Sequence, residues 1–184
     1  MREIETLSDN WRPLQRVTLE QRRADGSWQT LKREVYRTSP GAAVLLRDPA
    51  RDTVVLVRQF RLPPFVNGDP AFLVEACAGL VEPGDDPAET VRKEAEQETG
   101  LRVRDVRHVF TLYPSPGAFA EKLHLFVASY DPQDRSGQGG GLPEEGEQIE
   151  VLEMPMSRAW AMVQAGEIVD AKTVLLLQHL RLGG

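Results

Sequence analysis

Glu94, Gln97 and Glu98 stand at the i, i+3, i+4 spacing that places side chains on one face of a helix. Four glutamates (Glu89, Glu94, Glu96, Glu98) fall within positions 89–98. Left bare, the Glu94/Glu98 pair costs about 0.2–0.5 kcal/mol through like-charge repulsion. A solvated acidic face tolerates that cost. The flank suggests more, because Ala78-Gly79-Leu80-Val81-Glu82-Pro83-Gly84 is a small-residue loop at the end of a strand, where backbone carbonyls can point into a site. Two carboxylates and a carbonyl are the hard oxygen donors that Mg²⁺ prefers, and Mg²⁺ so held keeps positions for water and substrate phosphates. The chemistry suggested is metal-assisted transfer at phosphorus.

These residues need a helix, and the sequence marks one from Pro87 to Thr99. Asp86 is a good N-cap, Pro87 suits the first helical position and Glu89 completes a capping-box spacing. Gly100 is placed to end the helix in the left-handed conformation. Ala88, Val91 and Ala95 form the face that packs on a sheet.

That sheet is expected from several apolar runs. Arg16–Arg37 reads as two strands around the turn Ala24-Asp25-Gly26. AAVLLRD and TVVLVRQF form a hairpin in a mostly buried sheet. A proline-containing connection at Leu62-Pro63-Pro64 leads to FLVEACAGLVE, one further strand. Strands follow at Val103–Val109 and Leu123–Tyr130, and IEVLEM precedes helices at Ser157–Ala165 and Ala171–Leu182. Between them, Asp131–Gln148 is a long Gly- and Glu-rich connection, of the kind that is disordered or serves as a functional lid. Strands with helices inserted and appended indicate an α+β class.

The length of 184 residues suits one domain with a substantial core. A net charge of −6 argues against a nucleic-acid or acidic-membrane surface, though small anions can bind where a metal or a local arginine cluster reverses the sign. Cys77 is the only cysteine, so no disulfide framework is expected. Neither a signal-peptide core nor a membrane-length apolar run is evident, and a cytoplasmic setting is expected.

Residues 79–101 resemble the Nudix box, G-x5-E-x7-R-E-U-x-E-E-x-G-U, with U an aliphatic residue. Gly79, Glu94, Glu98, Gly100 and Leu101 match it at full spacing. Asp85, Lys93 and Gln97 stand where the motif has Glu, Arg and Glu, and Ala95 takes the aliphatic position. LSDNW, KREVY, VVLVRQFR, ACAGL, IEVLEMP and GEIVDAKTVLLL extend the similarity over nearly the whole chain. The branch resembled is the nucleoside-diphosphate-sugar hydrolases, GDP-mannose pyrophosphatases above all, with ADP-ribose pyrophosphatases related.

The resemblance implies a Nudix fold, a mixed β-sheet sandwiched between helices in α/β/α layers with an N-terminal antiparallel strand region. Residues 1–40 would form that strand region and 41–184 the hydrolase domain. It also implies Mg²⁺, with Mn²⁺ as a substitute, and a homodimer whose N-terminal strands contribute to the partner's site. The reaction implied is hydrolysis of the diphosphate of GDP-mannose, or alternatively of ADP-ribose. A non-catalytic nucleotide-sugar binding module is the reading from another class, because the Gln97 amide brings no charge.

The metal ligands implied are the Ala78 carbonyl, Glu94 and Glu98, with Gln97 in the same set. Asp85 aligns with a glutamate that supports the catalytic helix, or serves the turn alone. The general base implied is Glu147, with Glu144, Glu145 and Glu150 as competitors. Arg61 would contact phosphate, Lys32 and Arg33 would reach across the dimer, and Asn10 and Trp11 would meet the nucleobase. Ser115 and Glu121 belong to a loop near the terminal sugar or phosphate, while His108, His124 and His179 read as structural.

Overall fold

In the computed structural model, residues 1–142, 144 and 146–184 are described. The element order is β1 (Glu3–Asp9), β2 (Pro13–Arg22), β3 (Trp28–Tyr36), β4 (Gly41–Asp48), β5 (Thr53–Phe60), α1 (Leu62–Asn67), β6 (Phe72–Glu75), β7 (Cys77–Leu80), α2 (Pro87–Thr99), β8 (Leu101–Leu112), β9 (Leu123–Arg135), β10 (Glu150–Pro155), α3 (Met156–Gln164) and α4 (Ala171–Arg181).

β4 explains the layering. Its residues Ala42 to Leu46 are fully buried, and a strand sends alternate side chains to opposite faces. Ala42, Val44 and Leu46 join a core with Val91 and Ala95 of α2. Ala43 and Leu45 join a second core with Ala159 of α3 and Leu176, Leu177 and Leu180 of α4. Helices therefore cover both faces of a mixed sheet, which is the α+β, α/β/α arrangement expected. β4 pairs β9 in parallel, and the other ladders are antiparallel.

The β4–β5 hairpin exchanges partners along its length. β4 pairs β5 only through Leu46–Asp48, and its earlier residues Gly41–Val44 pair β7 instead. β5 likewise turns to β6 over Val57–Phe60. FLVEACAGLVE is consequently two strands rather than one, broken at Ala76. The Ala76 N–H lies outside both ladders and donates to the buried Thr173 Oγ1 of α4 at 2.7 Å. A buried amide left unpaired would be costly, so this hydroxyl stabilises the break.

Three further differences have local causes. Leu62-Pro63-Pro64 opens the short helix α1 rather than a bare connection, since proline suits the first helical positions and Gly68 closes the turn at φ 82°. β1 adds a strand that the sequence signals only weakly, because its two apolar residues, Ile4 and Leu7, do not alternate. β9 runs on to Arg135, which shortens the Gly-rich connection.

β1, β2 and β3 form a separate antiparallel sheet. It meets the connection between β8 and β9 at Tyr36, whose N–H donates to Ala118 O and whose carbonyl accepts from Ala120 N–H. No residue from 1 to 40 is buried. No helix among the described residues is long and apolar enough to cross a membrane.

Candidate active site

α2 carries the acidic face, and its ends are set as the sequence indicates. The Asp86 carboxylate accepts from Ala88 N–H at 3.2 Å, Pro87 follows it, and Gly100 takes φ 72° with its N–H on Glu96 O. The second half of the capping box goes elsewhere, since Glu89 pairs with Arg92 at 3.2 Å. With Val91 and Ala95 fully buried, the helix rolls so that Glu98 is only 1% exposed. Glu94 is half-buried and Gln97 is exposed, so the three residues of one helical face meet three different environments.

The Glu94 carboxylate lies against the Ala78–Gly79 peptide: a Cβ at residue 79 would overlap its Oε1, Cδ and Cγ. Glu98 Oε2 is buried with no hydrogen-bond partner among the described residues. Burial, then the Glu94 charge, pushes the Glu98 carboxyl up to about 8; Glu147 adds to this, while the Cys77 thiol and Arg61 oppose it. The Cys77 thiol is itself raised well above its ordinary value, first by burial and then by Glu98. Glu94, Glu98, Cys77, Glu147 and Arg61 thus share one electrostatic neighbourhood.

A second cluster, in which two cations meet two carboxylates, adjoins it. Arg61 Nε and Nη2 donate to the two oxygens of Glu75 at 2.8 and 2.9 Å, a bidentate pair on a carboxylate that is 1% exposed. Lys172 Nζ donates to Glu75 Oε2 at 2.6 Å and to Asp170 Oδ1 at 2.9 Å. Burial alone would raise the Glu75 carboxyl, but the Arg61 bonds and the Lys172 charge outweigh it and hold it below the usual range. Burial likewise disfavours the Lys172 ammonium, and Asp170 and Glu75 more than restore it. Burial raises the Glu121 carboxyl, with Lys172 opposing.

The Gly-rich connection closes over the end of α2. Gly140 and Gly141 donate their N–H groups to Glu98 O and Gln97 O at 2.9 and 3.2 Å. Gly139 and Gly141 adopt φ 72° and 77°, and a Cβ on Gly141 would overlap Glu147. The Glu147 carboxylate accepts from Leu142 N–H at 2.9 Å. An open recess of about 500 Å³ lined by Gly139–Gly141 and Glu147–Glu150 lies beside it.

The other sequence candidates are spread over several elements. Glu150 is exposed and pairs with Arg58, Glu144 is exposed, and Glu145 lies outside the described residues. Lys32 and Arg33 are exposed on β3. Asn10 Nδ2 donates to Ser8 Oγ, and Trp11, 68% exposed, lies 6.2 Å from the Tyr36 ring. The Ser115 carbonyl accepts from Phe119 N–H in an exposed turn. Asp85 and Lys93, two departures from the Nudix pattern, face each other at 3.9 Å. His108 and His124 are joined through Thr111, and His179 packs on Phe110.

Comparison with known proteins bears on this arrangement. The NUDIX domain family model matches residues 37–177, and the GDP-mannose pyrophosphatase NudK N-terminal domain model matches residues 1–36. The chain belongs to the Nudix hydrolase family. A GDP-mannose pyrophosphatase of Cronobacter sakazakii is 52% identical over 97% of this chain and 92% of the relative. One from Klebsiella pneumoniae is 49% identical over 97% of this chain and 89% of its own. A crystal structure of an ADP compounds hydrolase superposes with a TM-score of 0.72 at 21% identity, covering 98% of this chain and 90% of that one, and supports the fold.

In this Nudix hydrolase Glu94 and Glu98 offer carboxylate oxygens to a divalent ion. Among the described residues no group of three or more His, Cys, Asp or Glu side chains converges as a metal site. Two observations nevertheless fit one: the orphaned Glu98 Oε2, and the space at Gly79 that admits the Glu94 carboxylate against the backbone. Mg²⁺ requires few protein ligands, because it retains waters.

Sequence reasoning missed Glu75, Lys172 and Asp170. A charged residue inside the apolar run FLVEACAGL was the available signal, since a carboxylate is almost never buried unless paired. Asp170 two residues before Lys172 and three before Thr173 was another: it caps α4, accepting from Thr173 N–H at 3.0 Å.

Proposed function

We propose that this Nudix hydrolase cleaves the diphosphate of a nucleoside diphosphate sugar, GDP-mannose foremost, to GMP and mannose 1-phosphate. The observation that carries the reading is half-buried Glu94 beside buried Glu98, whose Oε2 is orphaned, set between a loop glutamate and a clamped arginine. The names of relatives about half identical over nearly the whole chain support the substrate.

Glu94, Glu98 and the Ala78 carbonyl would hold Mg²⁺, or Mn²⁺ in its place. When bound, the ion supplies charge neutralisation and activates a water. Glu147 takes a proton from the attacking water, and Leu142 N–H orients its carboxylate. Attack at one phosphorus breaks its bond to the bridging oxygen, which leaves with the other phosphoryl group. Arg61 and Lys172 stabilise charge on the phosphoryl oxygens. Because Gln97 is exposed while Glu94 and Glu98 turn inward, its amide leaves that pair intact, which favours catalysis over a binding-only module.

We further propose a cytoplasmic homodimer. A three-stranded sheet without one buried residue, carrying Ile4 at 49% and Trp28 at 64% exposure, needs a covered face to be stable. Pairing copies through residues 1–40 would also bring Lys32, Arg33, Asn10 and Trp11 to the partner's site. Sedimentation analysis reads the dimer. Incubation with Mg²⁺ and a panel of GDP-mannose, GDP-glucose and ADP-ribose, with product analysis, tests the reaction; no turnover of any member refutes it.

A further inference from the structure

Glu75 belongs neither to the acidic face of α2 nor to the glutamate-bearing loop, yet it is among the most buried charges in the molecule, at 1% exposure. Both its oxygens are engaged: Oε1 accepts from Arg61 Nε, and Oε2 accepts from Arg61 Nη2 and from Lys172 Nζ. We infer that Glu75 is a positioning residue for diphosphate binding, holding the Arg61 guanidinium and the Lys172 ammonium side by side on one buried anion. This rests on the hydrolase reading above.

Stability alone is a weak reason for such a cluster, because well-packed apolar residues often replace buried ion pairs at no loss. The geometry gives a better one: one carboxylate holds Arg61 through two hydrogen bonds and Lys172 through a third, which fixes both cations side by side. The Arg61 charge also acts on Glu98, and the Lys172 charge on Glu121. The clamp leaves donors over: Arg61 keeps its Nη1 amino group, and Lys172 keeps a third ammonium proton beyond its bonds to Glu75 and Asp170. Arg61 retains 38% side-chain exposure against 13% for Lys172, so the guanidinium is the outer member of the pair. Fixing two cations before the ligand arrives removes the ordering cost from binding.

The test uses Glu75→Gln and Glu75→Asp in the full chain, assayed well below each variant's melting temperature. Glu75→Gln should raise both KM for GDP-mannose and Kd for GDP in Mg²⁺ by about 10–100-fold, the range for removing an outer partner that orients a site. Mn²⁺ binding, read by electron paramagnetic resonance, should stay within about twofold, because Glu94 and Glu98 are untouched. Glu75→Asp keeps the charge and should recover part of the loss. A folded Glu75→Gln protein with wild-type KM and GDP affinity overturns the inference, whatever its melting temperature. Should Glu75→Gln fail to fold, wild-type GDP affinity in Glu75→Asp, which cannot keep the bidentate bond in place, overturns it equally. A wild type that hydrolyses no sugar nucleotide defeats the hydrolase reading instead, and the GDP comparison still decides Glu75.

Discussion

Removing the charge at Glu98 should stabilise the metal-free protein at alkaline pH. Burial raises the Glu98 carboxyl from 4.5 to about 8, and Glu94 adds to the shift. Between those values the folded state holds a proton that the unfolded state has released. Stability from this group is therefore fully present below pH 4.5, declines as pH rises, and is gone above about pH 8. A shift of 3.5 units (8 − 4.5) corresponds to at most about 5 kcal/mol, since each unit is about 1.4 kcal/mol. That rivals the whole stability of a marginal domain, about 5–15 kcal/mol. The assay is urea unfolding at pH 5.5 and 8.5 in chelator, for wild type and Glu98→Gln. Wild type should lose several kcal/mol more than the variant across that interval. Mg²⁺ at a hundred times its Kd should return about 2.7 kcal/mol to wild type at pH 8.5 and little to Glu98→Gln. Parallel pH dependences for the two proteins would refute the assignment of a strained carboxylate at Glu98.

Three further substitutions probe the same centre. Glu147→Gln should lower kcat by about 10²–10⁴-fold with GDP affinity unchanged, as loss of a general base requires; a parallel fall in affinity would show that Glu147 binds rather than takes a proton. Gly79→Ala places a methyl group on the Glu94 carboxylate, and should cost about 1–3 kcal/mol in urea unfolding and weaken Mn²⁺ binding. Gln97→Glu adds charge at an exposed position, so Mg²⁺ affinity should rise by no more than roughly fivefold, the worth of about 1 kcal/mol; a much larger rise in affinity and turnover would place residue 97 among the ligands.

How far the sequence reveals this depends on whether the interaction is local. The α2 boundaries follow from Asp86, Pro87 and Gly100, all within one turn of the ends they set. The two cores follow from period two in β4, which needs only neighbours. The cation cluster joins residues 61, 75 and 172, and no local rule links charges so far apart. Helical spacing grouped Gln97 with Glu94 and Glu98, but a wheel gives a face and not its edge. Where Glu98 is buried and Gln97 exposed is decided by the roll of α2 onto β4 and β7. The break at Ala76 was hidden for a similar reason: FLVEACAGLVE is apolar but for Glu75 and its last residue Glu82, and only its partners show that Glu75 ends one strand and Cys77 begins another.

That break explains how opposite charges meet. A continuous sheet would separate α2 from α4, since layers pack about 10 Å apart on either face. Here the β4–β5 pair exchanges partners, β6 and β7 fill the opening, and three successive residues look in different directions. Glu75 binds Lys172 of α4, Ala76 lends its N–H to Thr173 of the same helix, and Cys77 lies against Glu98 of α2. Arg61, arriving from the end of β5, links the two sides by bonding Glu75 while its charge favours ionised Glu98. The acidic and basic clusters are thus held by one short segment of backbone. A change that closed the opening, such as a side chain that displaced Thr173 Oγ1 from the Ala76 N–H, would disturb both clusters at once.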